Sequence, residues 1–120
     1  MAYNQQLADK IRESIAHLPN IEEKQMFGGV TFMVDGKMCV GVVKEEMMCR
    51  INPELDETVL EMNGCRPMDF TGKRMRGYVF VNSDGISTLK KFEYFISLCL
   101  EFNSLAKASK TKSKRRNNNS

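Results

Sequence analysis

The chain has 120 residues, of which 42% are hydrophobic, so it can form one compact domain with a core but is too short for two ordinary domains. No stretch approaches the roughly 18 consecutive apolar residues of a membrane-spanning helix, and the N-terminus lacks the basic and apolar regions of a signal peptide. We therefore expect a cytoplasmic protein that has no membrane contact.

The net charge of +3 conceals a basic C-terminal tail, residues 107–120. Six cations and no acid lie in this tail: Lys107, Lys110, Lys112, Lys114, Arg115 and Arg116. Because the whole chain has 18 basic and 15 acidic residues, residues 1–106 carry a net charge of about −3. We predict a folded domain over residues 1–106 and a disordered tail over residues 107–120. The tail could bind nucleic acid weakly and in a salt-dependent way, or it could serve only to keep the protein in solution.

The first predicted element is an amphipathic helix. Apolar residues recur every three or four positions from Leu7 through Ile11 and Ile15 to Leu18, with polar residues between them. The pattern predicts a helix that begins near Tyr3, ends at Pro19 and covers a sheet.

Three apolar runs follow, over residues 30–34, 37–43 and 47–51. The first two are joined by Asp35-Gly36, which favours a two-residue type I′ hairpin because both turn residues take positive φ. The three runs therefore predict an antiparallel meander.

The second half of the chain is expected to contain two more helices. Asn52 and Pro53 are typical of the start of a short helix that ends at Asn63-Gly64. Its predicted buried stripe is Leu55, Val59 and Met62. After an irregular loop, a strand over residues 78–81 precedes a long final helix, capped by Ser83 or Asp84, that forms the main cover of the sheet.

The hairpin register predicts two apolar sheet faces, if Val34 lies opposite Lys37 and the next turn has three residues. The first face comprises Val30, Phe32, Val34, Cys39, Gly41, Val43, Cys49 and Ile51. The second comprises Thr31, Met33, Met38, Val40, Val42, Met48 and Arg50. One face meets the helices. Cover for the methionine-rich face could come from another helix, from a second subunit in a homodimer, or from an apolar ligand or partner.

Residues that often carry chemistry have structural interpretations here. Gly28-Gly29 lacks the pattern of a phosphate-binding loop and indicates a bend between strands. His17 is predicted at the surface without a nucleophile beside it. The four cysteines, Cys39, Cys49, Cys65 and Cys99, have no metal-ligand spacing and are interpreted as reduced core residues. We therefore expect a protein that is not an enzyme and has no cofactor, no metal and no catalytic residue.

The strongest functional candidate on the folded body is the segment 66–76. Its cations are Arg66, Lys73, Arg74 and Arg76, with Asp69 as the single acid and Phe70 between them. Such a segment could bind phosphate or stack on a base, or it could be a solvated loop whose apolar residues pack inward. Arg50 could extend this patch. In the tail, the candidate nucleic-acid-binding residues are Lys112, Lys114, Arg115 and Arg116.

Three blocks of this sequence resemble the N-terminal domain of the TfoX/Sxy family, especially its short, stand-alone members. They are Met26-Phe27-Gly28-Gly29, Asp35-Gly36-Lys37-Met38, and Arg66-Pro67-Met68-Asp69-Phe70-Thr71-Gly72 with Met75-Arg76-Gly77-Tyr78. The resemblance runs from about Leu7 to Leu105. It implies an α+β fold with helices flanking an antiparallel sheet, and a link to regulation of DNA-uptake competence. The full-length regulators of that family carry a second, helical domain where this chain has its basic tail.

We therefore expect a non-enzymatic binding or regulatory module that acts through protein or nucleic-acid contacts. The alternative is a small-molecule sensor or a chaperone-like dimer that uses the methionine-rich sheet face.

Overall fold

The computed structural model describes residues 3–26, 28–69 and 74–106, except for the side chains of Asp69 and Arg74. In chain order the described elements are α1 (Gln5–Ser14), β1 (Ile21–Met26), β2 (Gly29–Val34), β3 (Lys37–Val43), β4 (Glu46–Arg50), a 3₁₀ turn (Pro53–Leu55), α2 (Asp56–Leu60), β5 (Cys65–Asp69), β6 (Arg74–Val81) and α3 (Leu89–Asn103).

The strands form one antiparallel sheet in the spatial order β1-β2-β3-β4-β6-β5. The predicted α+β class, the three-strand meander and the flanking helices are confirmed. Asp35 and Gly36 have φ of 55° and 76°, as a type I′ turn requires. Gly28, with φ of 77°, lies between β1 and β2, and Gly29 is the first residue of β2, so the predicted bend between strands is confirmed at Gly28.

Both edge strands were missed by the sequence pattern. Strand β1 is exposed over its four central residues and is held by its pairing with β2, so it lacks the apolar alternation that marks a strand. The predicted irregular loop at 66–76 is wrong, because β5 and the start of β6 lie there. Pro67 lies in β5, where an edge position tolerates a residue that has no backbone donor.

Helices α1 and α3 pack on the same face of the sheet and bury its main core. The largest fully buried side chains of this core are Phe32, Phe92, Phe95, Ile11, Ile15, Met47 and Ile51. Helix α1 ends at Ser14, before the predicted end at Pro19. Helix α3 begins at Leu89, so the predicted cap at Ser83 or Asp84 is wrong. Thr88 caps it instead, with its side chain accepting from the Lys91 N–H at 3.1 Å.

A bulge between β2 and β3 changes the predicted faces. The register shifts between Phe32 and Met33, so Phe32 lies opposite Val40. Val40 and Val42 therefore lie in the helix-covered core, whereas Val43 packs against the other cluster, contrary to prediction. The next turn has two residues, not three, and this second shift returns Cys49 to the predicted face.

The opposite face carries a separate cluster of Met33, Met38, Met48, Met68 and Phe80. Within the single chain Met33 is 8%, Met38 7% and Met48 0% exposed. The methionine side chains themselves are therefore almost inaccessible to a ligand or a second subunit, although Val43 and Tyr78 beside them are only partly buried. The sensor or dimer alternative stays a prediction.

The predicted buried stripe of α2 is only partly right. Asn52 caps the 3₁₀ turn and Gly64, with φ of 86°, ends the segment as predicted. Val59 is buried, but Leu55 and Met62 are each 37% exposed. Asp56 is buried instead, and its Oδ1 accepts from the Gly77 backbone N–H at 2.9 Å. The 3₁₀ turn at the start of this segment breaks the α-helical spacing on which the stripe was predicted.

Candidate nucleic-acid interface

Two arginines lie over aromatic rings on the sheet face that carries the methionine cluster. Arg50 of β4 lies opposite Tyr78 of β6, and Arg66 of β5 lies opposite Phe80. The guanidinium carbon of Arg66 is 4.5 Å from the centre of the Phe80 ring, and that of Arg50 is 5.6 Å from the centre of the Tyr78 ring. Both distances allow cation–π attraction. We call these four residues the arginine face.

The charge of Arg66 is compensated within the protein. Its Nε donates to Glu46 Oε2 at 2.9 Å and its Nη2 to Glu46 Oε1 at 2.5 Å, in the two-point geometry that suits guanidinium and carboxylate. These hydrogen bonds raise the pKa of Arg66. Because Glu46 occupies two of its donors and neutralises its charge, Arg66 attracts a phosphate weakly.

Arg50 has a different environment. Its guanidinium lies near two rings, Tyr78 of β6 and Phe102 of α3, at 5.6 and 5.5 Å from their centres. Among the residues that the structure describes, Arg50 makes no side-chain hydrogen bond or ion pair. The rings fix the position of the cation and leave its N–H groups available to an anion.

Arg50 also lies close to the start of the basic tail. Phe102 belongs to the last turn of α3, five residues before Lys107. The tail therefore begins only a few residues along the chain from a side chain that contacts the available guanidinium. Phe102 is one of the apolar residues of the long final helix. No local signal pairs it with Arg50, because the contact joins segments that are distant along the chain.

Arg76 does not join the arginine face. Its Nη2 donates to the Pro53 carbonyl oxygen at 3.1 Å, and its Nη1 lies 4.0 Å from Glu57 Oε2. The side chain is thus directed to the 3₁₀ turn and α2. Of the cations predicted at 66–76, Arg66 therefore lies on the arginine face, and Arg76 lies beside the 3₁₀ turn and α2.

The remaining candidates are outside the described residues. These are Lys73, the four tail cations Lys112, Lys114, Arg115 and Arg116, the motif residue Phe27, and the side chains of Asp69 and Arg74. Their assignment stays a prediction.

The family-motif glycines have structural roles in the described part of the chain. Gly29 pairs with Met26, and a Cβ at Gly29 would lie 1.9 Å from the Val42 carbonyl oxygen. Only a residue without a side chain fits that approach of β2 to β3. Gly77 has φ of 83° and donates its N–H to buried Asp56, which anchors β6 to α2.

The thiols lie in surroundings that suppress their reactivity. Cys39, Cys49 and Cys99 are buried in the helix-covered core, and Cys65 is half-buried. Burial raises the pKa of Cys39 and of Cys65. A hydrogen bond with Cys49, together with burial, raises the pKa of Cys99. A protonated, buried thiol is a poor nucleophile, so these cysteines act as core residues.

Three further observations concern metal binding, the single histidine and membrane crossing. No group of three or more His, Cys, Asp or Glu side chains among the described residues is arranged to hold a metal ion. His17 is exposed on the turn after α1. Among the same residues, no helix has the length and apolarity needed to cross a membrane.

These observations define a two-layer α+β domain with an arginine-on-aromatic surface on its second sheet face. A family profile described as the TfoX N-terminal domain matches residues 13–103, about three quarters of the chain and all six strands. The chain belongs to this family. The same comparisons found no match among curated proteins and none among solved structures.

Proposed function

We propose that the chain is a cytoplasmic, non-enzymatic regulatory module that contacts nucleic acid through Arg50 and its basic tail, and that also binds protein partners. Membership in the TfoX N-terminal domain family supports a regulatory domain of the competence type. The contacts with nucleic acid and with protein partners are our proposal.

The position of Arg50 is the observation that supports this proposal. Its guanidinium is held near Tyr78 and Phe102, and both rings are only partly buried. A cation beside partly exposed rings can bind a phosphate while a base stacks nearby. Because six further cations follow within 18 residues of Phe102, the two features can act on the same strand of nucleic acid.

The electrostatic part of the proposal has a predictable salt dependence. Each phosphate neutralised on duplex DNA adds about −0.9 to the slope of log affinity against log salt concentration. Seven contacts from Arg50 and the tail would give a slope of about −6, and Arg50 alone a slope of about −1. The body has a net charge of about −3, so it does not provide a general attraction for phosphate.

The test is a mobility-shift titration of the full chain with duplex DNA and with single-stranded RNA, at about 50 and 200 mM salt. One variant replaces the six tail cations with glutamine, and a truncation after residue 106 repeats that test. A second variant is Arg50→Gln, and Lys24→Gln on exposed β1 is its matched control.

We expect the tail variant to lose most of its affinity and salt dependence, and Arg50→Gln to weaken binding several-fold, while Lys24→Gln binds normally. Binding that is insensitive to salt and unchanged by either variant would refute the proposal. If the truncated chain, residues 1–106, still binds and Arg50→Gln in that truncated chain removes the remaining binding, a nucleic-acid site lies on the folded domain.

A further inference from the structure

An apolar cleft opens between the segment after α2 and the first turns of α3. Its volume is about 440 Å³, within the range of about 300–1,000 Å³ that is usual for binding sites. Met62 and Tyr94 line it and are 37% and 43% exposed, whereas Phe95, which also lines it, is 1% exposed. The cleft therefore reaches the core while remaining open to solvent. We call it the α2–α3 cleft.

The backbone around this cleft is already fixed. The Asn82 N–H donates to the Gly64 carbonyl oxygen at 2.8 Å, which ties the segment after α2 to the segment before α3. A Cβ at Gly85 would lie 2.4 Å from Val81 Cγ1 and 2.9 Å from the Asn63 carbonyl oxygen, so the two segments are in close contact. A preformed site loses little conformational entropy on binding.

The charge of the cleft is positive. Among its described lining residues the charged side chains are Lys90 and Lys91, and both are exposed. They lie in the first turn of α3, which contains no acidic residue. The N-terminal end of a helix carries a partial positive charge, so cations there are unfavourable and an anion is favoured. The α2–α3 cleft thus combines apolar walls with a preference for negative charge.

The placement of Lys91 is unfavourable for the helix itself. Thr88 caps α3 by accepting from the Lys91 N–H, so Lys91 occupies the position at which glutamate would complete a capping box. A sequence selected only for helix stability would carry an acid here. Among the described contacts, the hydrogen bond from Lys91 Nζ to Ser87 Oγ is long at 3.5 Å and compensates little for this choice. A local choice that lowers stability with so little compensation is typical of a functional position.

The occupant must be both apolar and negatively charged. The basic tail has the wrong charge, and it is attached at the opposite end of α3, which is 15 residues or about 22 Å long. Because the cleft is open along one side, it suits a side chain presented by a peptide better than an enclosed small molecule. We propose that the α2–α3 cleft binds an acidic segment of a partner protein, which inserts a bulky apolar side chain between Met62 and Tyr94 and pairs its carboxylates with Lys90 and Lys91.

This site is independent of the proposed nucleic-acid contact. Arg50 contacts Phe102 near the C-terminal end of α3, whereas the cleft lies at the N-terminal end of the same helix. The cleft proposal rests on the protein-binding part of the proposed function. Its failure would leave the nucleic-acid contact intact, because Lys91→Glu and Tyr94→Ala test the cleft, whereas Arg50→Gln and the tail variant test the nucleic-acid contact.

The first step of the test selects peptides from a random display library on the immobilised full chain. Enrichment of sequences with an aromatic or branched apolar residue beside two or more acids is the expected result. Enrichment of basic sequences, or no enrichment over an uncoated support, would overturn the proposal.

The second step maps the site by NMR on isotope-labelled full-length protein, with the most enriched peptide as the probe. We expect amide shifts at residues 62–63, 85 and 88–95. Lys91→Glu and Tyr94→Ala should each weaken binding at least tenfold, and both positions are exposed, so the fold tolerates them. Lys24→Glu makes the same change of charge on β1 and should bind normally.

Shifts confined to another surface would overturn the proposal, as would equal affinity for a peptide in which glutamine and asparagine replace the acids. Octanoate, an eight-carbon carboxylate, is titrated in parallel. If octanoate shifts the cleft amides and the peptide does not, the site binds a small amphiphile and the peptide proposal is wrong.

Discussion

Replacing Lys91 with glutamate should stabilise the fold while weakening peptide binding at the α2–α3 cleft at least tenfold. The variant exchanges a cation for an anion in the first turn of α3. It also creates a capping box with Thr88, in which the new carboxylate accepts from the Thr88 backbone N–H. The contact that is lost, from Lys91 Nζ to Ser87 Oγ, is long at 3.5 Å and exposed, so its loss should cost little.

The size of the effect follows from these two changes. A favourable charge at a helix terminus contributes about 0.3–1 kcal/mol. A hydrogen bond contributes about 0.5–1.5 kcal/mol net, and less when it is exposed. We therefore expect the free energy of unfolding to rise by roughly 1 kcal/mol, which corresponds to about 4–5 °C in Tm for a domain of this size. The free energy of unfolding of Lys91→Gln should lie between those of the original chain and Lys91→Glu, because glutamine can form the hydrogen bond but carries no charge.

The assay compares the three proteins by urea unfolding and by thermal unfolding, at low salt and in about 1 M salt, where charge effects are screened. The gain of Lys91→Glu over Lys91→Gln should shrink in high salt. A glutamate variant that is less stable than the original chain would refute the electrostatic reasoning at this helix terminus. A variant that is more stable and still binds the acidic peptide would refute the role of Lys91 in the cleft.

Three further predictions concern the fold. Asp56→Ala should lower the free energy of unfolding by about 2–3 kcal/mol in urea titrations, because the buried Gly77 N–H loses its acceptor. Asp56→Asn should lower it by less, because an amide oxygen can still accept. Equal effects of the two variants would contradict the role of Asp56 as acceptor. The hydrogen bond with Arg12 lowers the pKa of Glu23 in the folded state, so this pair stabilises the protein above the ordinary glutamate pKa of about 4.3, and that stabilisation is lost as pH falls through the folded value. Because both side chains are partly exposed, Glu23→Gln should lower the free energy of unfolding by less than about 1 kcal/mol at pH 7 and leave it unchanged in stronger acid. A difference between the two proteins that grows in acid would refute the expected direction of this pH dependence. Thiol titration should modify Cys65 slowly and the three buried cysteines only after unfolding; prompt reaction of all four would contradict their burial.

Features set by neighbouring residues were predicted correctly. The Asp35-Gly36 turn, the cap at Asn52 and the left-handed Gly64 each depend on the preferences of a few consecutive residues. The apolar spacing of α1 likewise predicted which side of that helix faces the sheet, since Leu7, Ile11 and Ile15 are buried. The family resemblance depended on three such local blocks, and the match over residues 13–103 confirms it.

Features set by pairing were not predictable in the same way. Strand β1 is charged and β5 contains Pro67, so neither has the pattern of a buried strand, and each exists because a neighbouring strand supplies its hydrogen bonds. The bulge near Phe32 moved Val40 and Val42 to the helix-covered face, since a shift of one residue exchanges the two faces of a strand.

The sequence by itself determined the α+β class, the hairpin, the basic tail and the family, because these depend on local spacing and composition. The tertiary structure alone decided that Arg66 is neutralised by Glu46, that Arg50 lies against Phe102, and that Lys90 and Lys91 lie beside an apolar cleft. Each of these contacts depends on how distant segments pack around one sheet. Spacing along the chain does not indicate that packing. The sequence therefore offered Arg50 as a candidate without its contact to Phe102, and it gave no sign of the α2–α3 cleft.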